Sequence, residues 1–86
     1  MKEFKFVIST PEGNLFDGDI VKISLRAADG DMAVMAGHTP LVTSVKPCNC
    51  KMELEDGTEK VGHTDGGILT VSAEKTVILT GSFAWN

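Results

Sequence analysis

Apolar and polar residues alternate along most of this chain. Phe4, Phe6 and Ile8 fall on one side of an extended segment, with Lys5 and Val7 on the other. Ser9-Thr10-Pro11-Glu12-Gly13-Asn14 is a turn cluster, followed by the short pair Leu15-Phe16. Ile20 to Leu25 predicts a second strong strand, with Val21, Ile23 and Leu25 on one face. Ala28-Asp29-Gly30-Asp31 and Glu55-Asp56-Gly57 are hairpin signals, because Asp-Gly suits the positive φ of tight turns. Further extended segments are predicted at Met32–Met35, Leu41–Val45, Cys50–Leu54, Thr58–His63, Ile68–Val71 and Thr76–Thr80. No stretch holds a 3.6-residue period long enough for a helix. Eight to ten short strands with turn signals every eight to twelve residues predict an all-β chain, a flattened antiparallel sandwich or barrel.

Length allows one such domain and no more: 86 residues with 42% apolar composition form a single small core. The predicted domain covers residues 1–81 and leaves 82–86 as a C-terminal tail. Trp85, the only tryptophan, lies in that tail. A terminal tryptophan either folds back on the sheet or packs against a neighbour outside this sequence.

Charge excludes one class of partner. The net charge is −4, Arg26 is the only arginine, and the lysines are scattered singly. Phosphate tracking needs clustered cations, so nucleic acid and direct binding to anionic lipid are not expected. No apolar run approaches the ~20 residues that cross a bilayer, and the first residues lack a signal-peptide core. A soluble intracellular protein is expected, held at a membrane only through a partner.

Candidate chemistry is sparse. Cys48 and Cys50, spaced to share one face of a strand, could join a histidine in a small metal-binding or redox site. A closed zinc site wants four ligands, and only His38 and His63 are available as histidines. Two small residues in a reducing compartment is the simpler reading, and no metal or cofactor is expected. No serine stands in a nucleophile-elbow context, and no phosphate-binding glycine loop is present. His63 reads as a surface histidine. His38 differs, because Gly37 precedes it and Pro40 stiffens the loop that carries it. A turn-capping role for His38 stands beside a binding role.

Several short motifs fall in a familiar order. They are Thr10-Pro11-Glu12-Gly13-x-Leu15-Phe16-x-Gly18, Gly30-Asp31, Ala36-Gly37-His38-Thr39-Pro40-Leu41, Lys46-Pro47, Gly66-Gly67-Ile68-Leu69-x-Val71 and Thr76-Val77-Ile78-Leu79. Together they closely resemble the N-terminal domain of the epsilon subunit of F-type ATP synthases, across essentially the whole chain. Two departures are Ala36, where the family has proline, and Cys48, where glycine usually follows Pro47. The resemblance implies a ten-stranded sandwich that does no catalysis. It implies a central-stalk part of a proton- or sodium-driven rotor, peripheral at the cytoplasmic face of the cell membrane. Its partners would be the gamma subunit and the c ring. Gly30, Asp31, Gly37 and His38 match the ring-facing loops, and Thr10 and Ile78 match the gamma-facing side. Residues 82–86 fall where the family's helical part begins, so inhibition and ATP binding, which belong to those helices, do not transfer. The alternatives from other classes are the Cys/His metal or redox sandwich and a stand-alone ligand-binding sandwich.

Overall fold

The computed structural model describes residues 2–86. It contains ten strands: β1 (Phe4–Thr10), β2 (Gly13–Ile20), β3 (Lys22–Ala27), β4 (Gly30–Val34), β5 (Leu41–Val45), β6 (Cys48–Glu53), β7 (Glu59–Thr64), β8 (Gly67–Val71), β9 (Thr76–Thr80) and β10 (Phe83–Trp85). Among the described residues no helix is long and apolar enough to cross a membrane.

Hydrogen bonding links the strands in the order β10-β7-β6-β3-β5-β8-β9-β1-β2, with β4 on the other edge of β3. The link between β3 and β5 is the single pair Ala27 and Val45. There the sheet folds over, so one half is built from β10, β7, β6, β3 and β4, and the other from β5, β8, β9, β1 and β2. Beta strands β2 and β3 are nearly continuous and carry the chain between the halves through the bend at buried Val21.

The sequence reading places one strand over Ile20–Leu25, preceded only by the pair Leu15-Phe16. Instead, an eight-residue β2 pairs along β1 and ends at Ile20, and Val21 is the bend between β2 and β3 rather than part of a strand. Asp17 and Asp19 conceal this strand in the sequence, because they lie on its outer face, Asp17 tied to Lys5 at 2.8 Å. One pairing departs from the antiparallel expectation. Strands β1 and β9 run parallel, from Phe6 opposite Thr76 to Ser9 opposite Leu79. A parallel neighbour cannot be reached through a hairpin, so nothing local in the sequence announces this pairing.

The two halves close on one core. Phe6, Ile8, Ile20, Ile23, Met52, Leu69 and Ile78 are its largest fully buried apolar side chains. Each comes from the inward register of its strand, as period-2 alternation requires. The polar members of the interior satisfy one another. Thr64 and Thr80 share a hydrogen bond of 2.7 Å, Thr80 Oγ1 also lies 2.8 Å from the Gly66 carbonyl, and the Gly66 amide donates to Thr64 Oγ1. No buried side-chain nitrogen or oxygen among the described residues lacks a partner. Gly67 follows this knot and is fixed by space: a Cβ there would run into the Leu79 carbonyl of the adjacent strand.

Phe83–Trp85 forms β10, which pairs with β7 from Thr64 to Gly62. The Trp85 ring packs edge-on against Phe83 at 5.0 Å between centroids and against Phe16 of β2 at 6.5 Å. Such aromatic pairs favour tilted and edge-on geometry. Phe16 in turn meets Phe6 in the core at 6.0 Å. These rings bridge the gap between the two ends of the strand order, β10 and β2.

Candidate docking surfaces

The outer face of β3, β6 and β7 differs sharply from that of β5, β8 and β9. On the half containing β3, β6 and β7, the outward register carries Lys22, Arg26, Asp31, Lys51, Glu53 and Glu59. They neutralise one another: Arg26 Nε lies 2.9 Å from Asp31 Oδ1, Lys51 Nζ 3.1 Å from Glu59, and Lys22 Nζ 3.9 Å from Glu53. The hydrogen bond to Asp31, and then its charge, holds the Arg26 guanidinium above its ordinary pKa, and Glu59 does the same for Lys51. Exposed pairs of this kind add little stability and bind water well.

On the other half the outward register of β5, β8 and β9 contains Val42, Ser44, Ile68, Thr70, Val77 and Leu79. It holds no charge at all. Val42 is 70% exposed, Leu79 51% and Ile68 42%, and Ile68 lies directly opposite Leu79. A contiguous apolar and uncharged face on an acidic domain is the surface best suited to a protein partner. Single exposed apolar residues are ordinary, but neighbours across three strands are not.

The residues singled out from the sequence fall in different places. Ile78 is fully buried in the core, so its side chain reaches no partner. Its neighbour Leu79 is the exposed one of the two, since adjacent strand residues point to opposite faces. Exposed apolar positions that the sequence analysis did not single out are Val42, Ile68 and Leu79. Their signal was available: Ile68-Leu69 and Val77-Ile78-Leu79 are unbroken apolar runs, which mean that both faces of the strand are apolar. Thr10 closes the end of β1, where its hydroxyl donates to the Gly13 carbonyl at 2.9 Å and accepts the Glu12 amide at 3.3 Å. It follows Ser9, which lies opposite Leu79, so it sits at the margin of the uncharged face.

Gly30 and Asp31 open β4 just after the turn Ala28-Asp29, and Gly30 takes the positive φ of 121°. Asp29 does not share it, so the positive φ of the Asp-Gly signal falls on the glycine. Gly37 has φ of 85° and lets the chain reverse so that the His38 amide donates to the Met35 carbonyl at 3.1 Å. His38 Nδ1 lies 2.7 Å from its neighbour's carbonyl, Thr39 O. A carbonyl only accepts, so Nδ1 is the donor in this contact. Asp31 and His38 do not line a common groove. Asp31 lines one with Leu41–Thr43 and another with Pro47–Asn49, whereas His38 faces Ser72–Lys75. His38 and Thr10 flank opposite ends of the half containing β1, because Leu41 pairs with Val71, Val71 with Thr76, and Thr76 with Phe6. The seven residues of β1 separate those ends by about 20 Å at a rise of roughly 3.3 Å per residue.

Cys48 and Cys50 share the inward face of β6, as their spacing predicts. Cys50 is 2% exposed, and its thiol is pushed up to about 12 by burial and then by the charge and hydrogen bond of Cys48. Cys48 Sγ accepts the Arg26 amide at 3.4 Å, where β5 gives way to β6 along β3. This is a structural use of the residue that replaces the usual glycine. Among the described residues no three His, Cys, Asp or Glu side chains gather as metal ligands, and His63 bonds Asn49 at 3.0 Å instead.

Residues 3–86 match the model of the ATP synthase delta/epsilon chain beta-sandwich domain. The chain belongs to this family. Relatives include the sodium-ion-specific ATP synthase epsilon chain of Acetobacterium woodii, 37% identical over 82 residues that make up 95% of this chain and 62% of that protein. The ATP synthase epsilon chain of Clostridium novyi is 36% identical over 84 residues, 98% of this chain and 64% of that protein. The chain thus spans less than two thirds of the length of these relatives. Its fold is shared with solved structures at low identity. One is a chain of the Euglena gracilis mitochondrial ATP synthase, with a TM-score of 0.91, 21% identity, and coverage of 96% of this chain and 53% of that one. Another is in the central stalk and c-ring structure of the Tetrahymena thermophila mitochondrial ATP synthase, with a TM-score of 0.78, 14% identity, and coverage of 95% and 66%. The family's sandwich, expected from the resemblance, is the fold described above.

Proposed function

We propose that this chain is a non-catalytic central-stalk domain of an ion-translocating F-type ATP synthase, turning with the rotor and joining the gamma subunit to the c ring. Its place would be peripheral, at the cytoplasmic face of the membrane, and held there through the complex. The observation that carries this reading is the uncharged outer face of β5, β8 and β9, mounted on a closed sandwich. Torque transfer needs a stiff body, and a close-packed core between hydrogen-bonded strands resists shear.

In this reading Val42, Ile68 and Leu79 form the apolar seat for gamma, with Thr10 at its margin. Gly30-Asp31 and Gly37-His38 serve as two separate contact points for the ring, not one edge. Asp31 offers a carboxylate to basic or amide groups, and each glycine removes bulk at a close approach. The test is retention of the domain by a purified gamma–c-ring rotor. Leu79→Asp buries a charge in the seat and is expected to weaken retention by at least about tenfold, the effect of ~1.4 kcal/mol. Asp31→Arg is expected to weaken it separately, with the isolated domain's melting temperature nearly unchanged. Undiminished retention of Leu79→Asp removes the seat, and no retention of the unaltered domain removes the rotor reading itself.

A further inference from the structure

The sandwich has two seams where its halves meet without a continuous ladder. The seam between β10 and β2 is sealed by Phe16, Phe83 and Trp85. The seam between β4 and β5 is bridged only at the end where β3 meets β5: Ala27 pairs with Val45, the Ala28 amide donates to the Ser44 carbonyl at 3.0 Å, and the Lys46 amide donates to the Arg26 carbonyl at 2.9 Å. Beyond that point lies an open groove of about 370 Å³, lined by Asp29, Asp31, Met32, Leu41, Val42 and Thr43 among others.

The backbone of β5 faces this groove with unused hydrogen-bonding groups. Residues of a strand direct their amide and carbonyl alternately to one edge and the other. Ser44 directs its carbonyl to Ala28, away from β8. Val42, two residues earlier, therefore points its amide and carbonyl the same way, and β5 has no partner strand at that position on that edge.

Free edges are normally defended by charge, bulges or shortness. The free edge of β2 carries Asp17 and Asp19 and a register shift near Leu15. Strand β10 is only three residues long and is braced by its aromatic contacts. Strand β5 reads Leu41-Val42-Thr43-Ser44-Val45, with no charge and no bulge in its ladder with β8. Strand β4, whose edge away from β3 is also free, carries Asp31; among the described strands β5 is the free edge with neither charge nor bulge.

We infer that the β4–β5 seam is a strand-addition site, filled by an extended segment of a partner protein that pairs with β5 at Val42. The lining supplies the rest of the specificity. Its only charged members are Asp29 and Asp31, and Asp31 is already paired with Arg26. The occupant is therefore a segment that alternates apolar side chains, packed toward Met32 and Leu41, with lysine or arginine near Asp29. Main-chain bonds supply affinity in this mode and alternate side chains supply selectivity. The inference stands on the sheet edge and does not depend on which complex the domain joins.

The probe is a capped peptide about six residues long, an ordinary strand length, alternating valine with lysine and threonine. Amide exchange and chemical shifts of the domain are followed by NMR during titration. Binding at or below about 1 mM is expected, with slowed exchange at Val42 and Ser44. Val42→Pro deletes the outward amide at an edge position that tolerates proline, and is expected to weaken binding about tenfold, a loss near one net hydrogen bond. Asp29→Lys is expected to weaken it by a similar factor, and glutamate in place of the peptide's lysine to abolish it. No binding at about 1 mM, or shifts confined to Ile68 and Leu79, overturns the inference. Slow exchange at Val42 in the free domain also overturns it, and this measurement holds even if Val42→Pro fails to fold.

Discussion

Adjacent residues of β9 should separate stability from docking. Ile78 is fully buried, and Leu79 beside it is 51% exposed. Ile78→Ala removes three methyl or methylene groups from a fully buried core site, beside Ile8 and Leu69 of the flanking strands. The lost transfer energy and the cavity left behind cost about 2–5 kcal/mol for such truncations. An 86-residue domain holds roughly 4–13 kcal/mol in total, at about 0.05–0.15 kcal/mol per residue. A central value of about 3 kcal/mol is therefore a large share of the whole, and lowers the melting temperature by about 12–24 °C at 4–8 °C per kcal/mol. Leu79→Ala removes a side chain that is half in water already, and costs about 1 kcal/mol or less. Urea unfolding followed by the fluorescence of Trp85, set between Phe16 and Phe83, reads both variants on one signal. The same proteins are then compared for retention by the gamma–c-ring rotor at a temperature where both are folded. Ile78→Ala should lose stability and keep docking, and Leu79→Ala should do the reverse. A stable Ile78→Ala domain that fails to dock would refute the register assigned to β9 and the face built from it.

Gly67→Ala should destabilise by about 1–3 kcal/mol or more, since its Cβ runs into the Leu79 carbonyl and the end of the β8–β9 ladder must part; a melting temperature equal to that of the parent would sink this account. The Cys50 thiol retains its proton in the fold up to about 12, against an ordinary 9.0. Its contribution to stability is complete below pH 9 and is lost as pH rises toward 12, because the unfolded chain releases that proton first. Cys50→Ala should therefore flatten the alkaline fall in stability measured by urea unfolding between pH 8 and 11, and an unchanged slope would argue against a buried neutral thiol. The rotor retention of Leu79→Asp and the peptide titration with Asp29→Lys test the two docking readings through residues that the readings do not share.

Much of this protein follows from local chemistry that a sequence displays. Alternation placed Phe4, Phe6 and Ile8 on one face of β1, and Cys48 and Cys50 on one face of β6, because the strand period is two whatever the strand packs against. Glycine marked Gly30 and Gly57 as turns because both stand at positive φ. The ordered motifs identified the family. Three things were decided only in three dimensions. Strand β1 met β9 in parallel, a pairing with no turn to signal it. Trp85 returned to seal a seam, through contacts with Phe16, a residue far away in the chain. Ile78 turned inward and Leu79 outward, and an apolar run such as Val77-Ile78-Leu79 cannot say which of its faces meets the core. Periodicity is a property of one strand, whereas which face is buried, and which edge is left open at Val42, depends on neighbours that the chain brings from elsewhere.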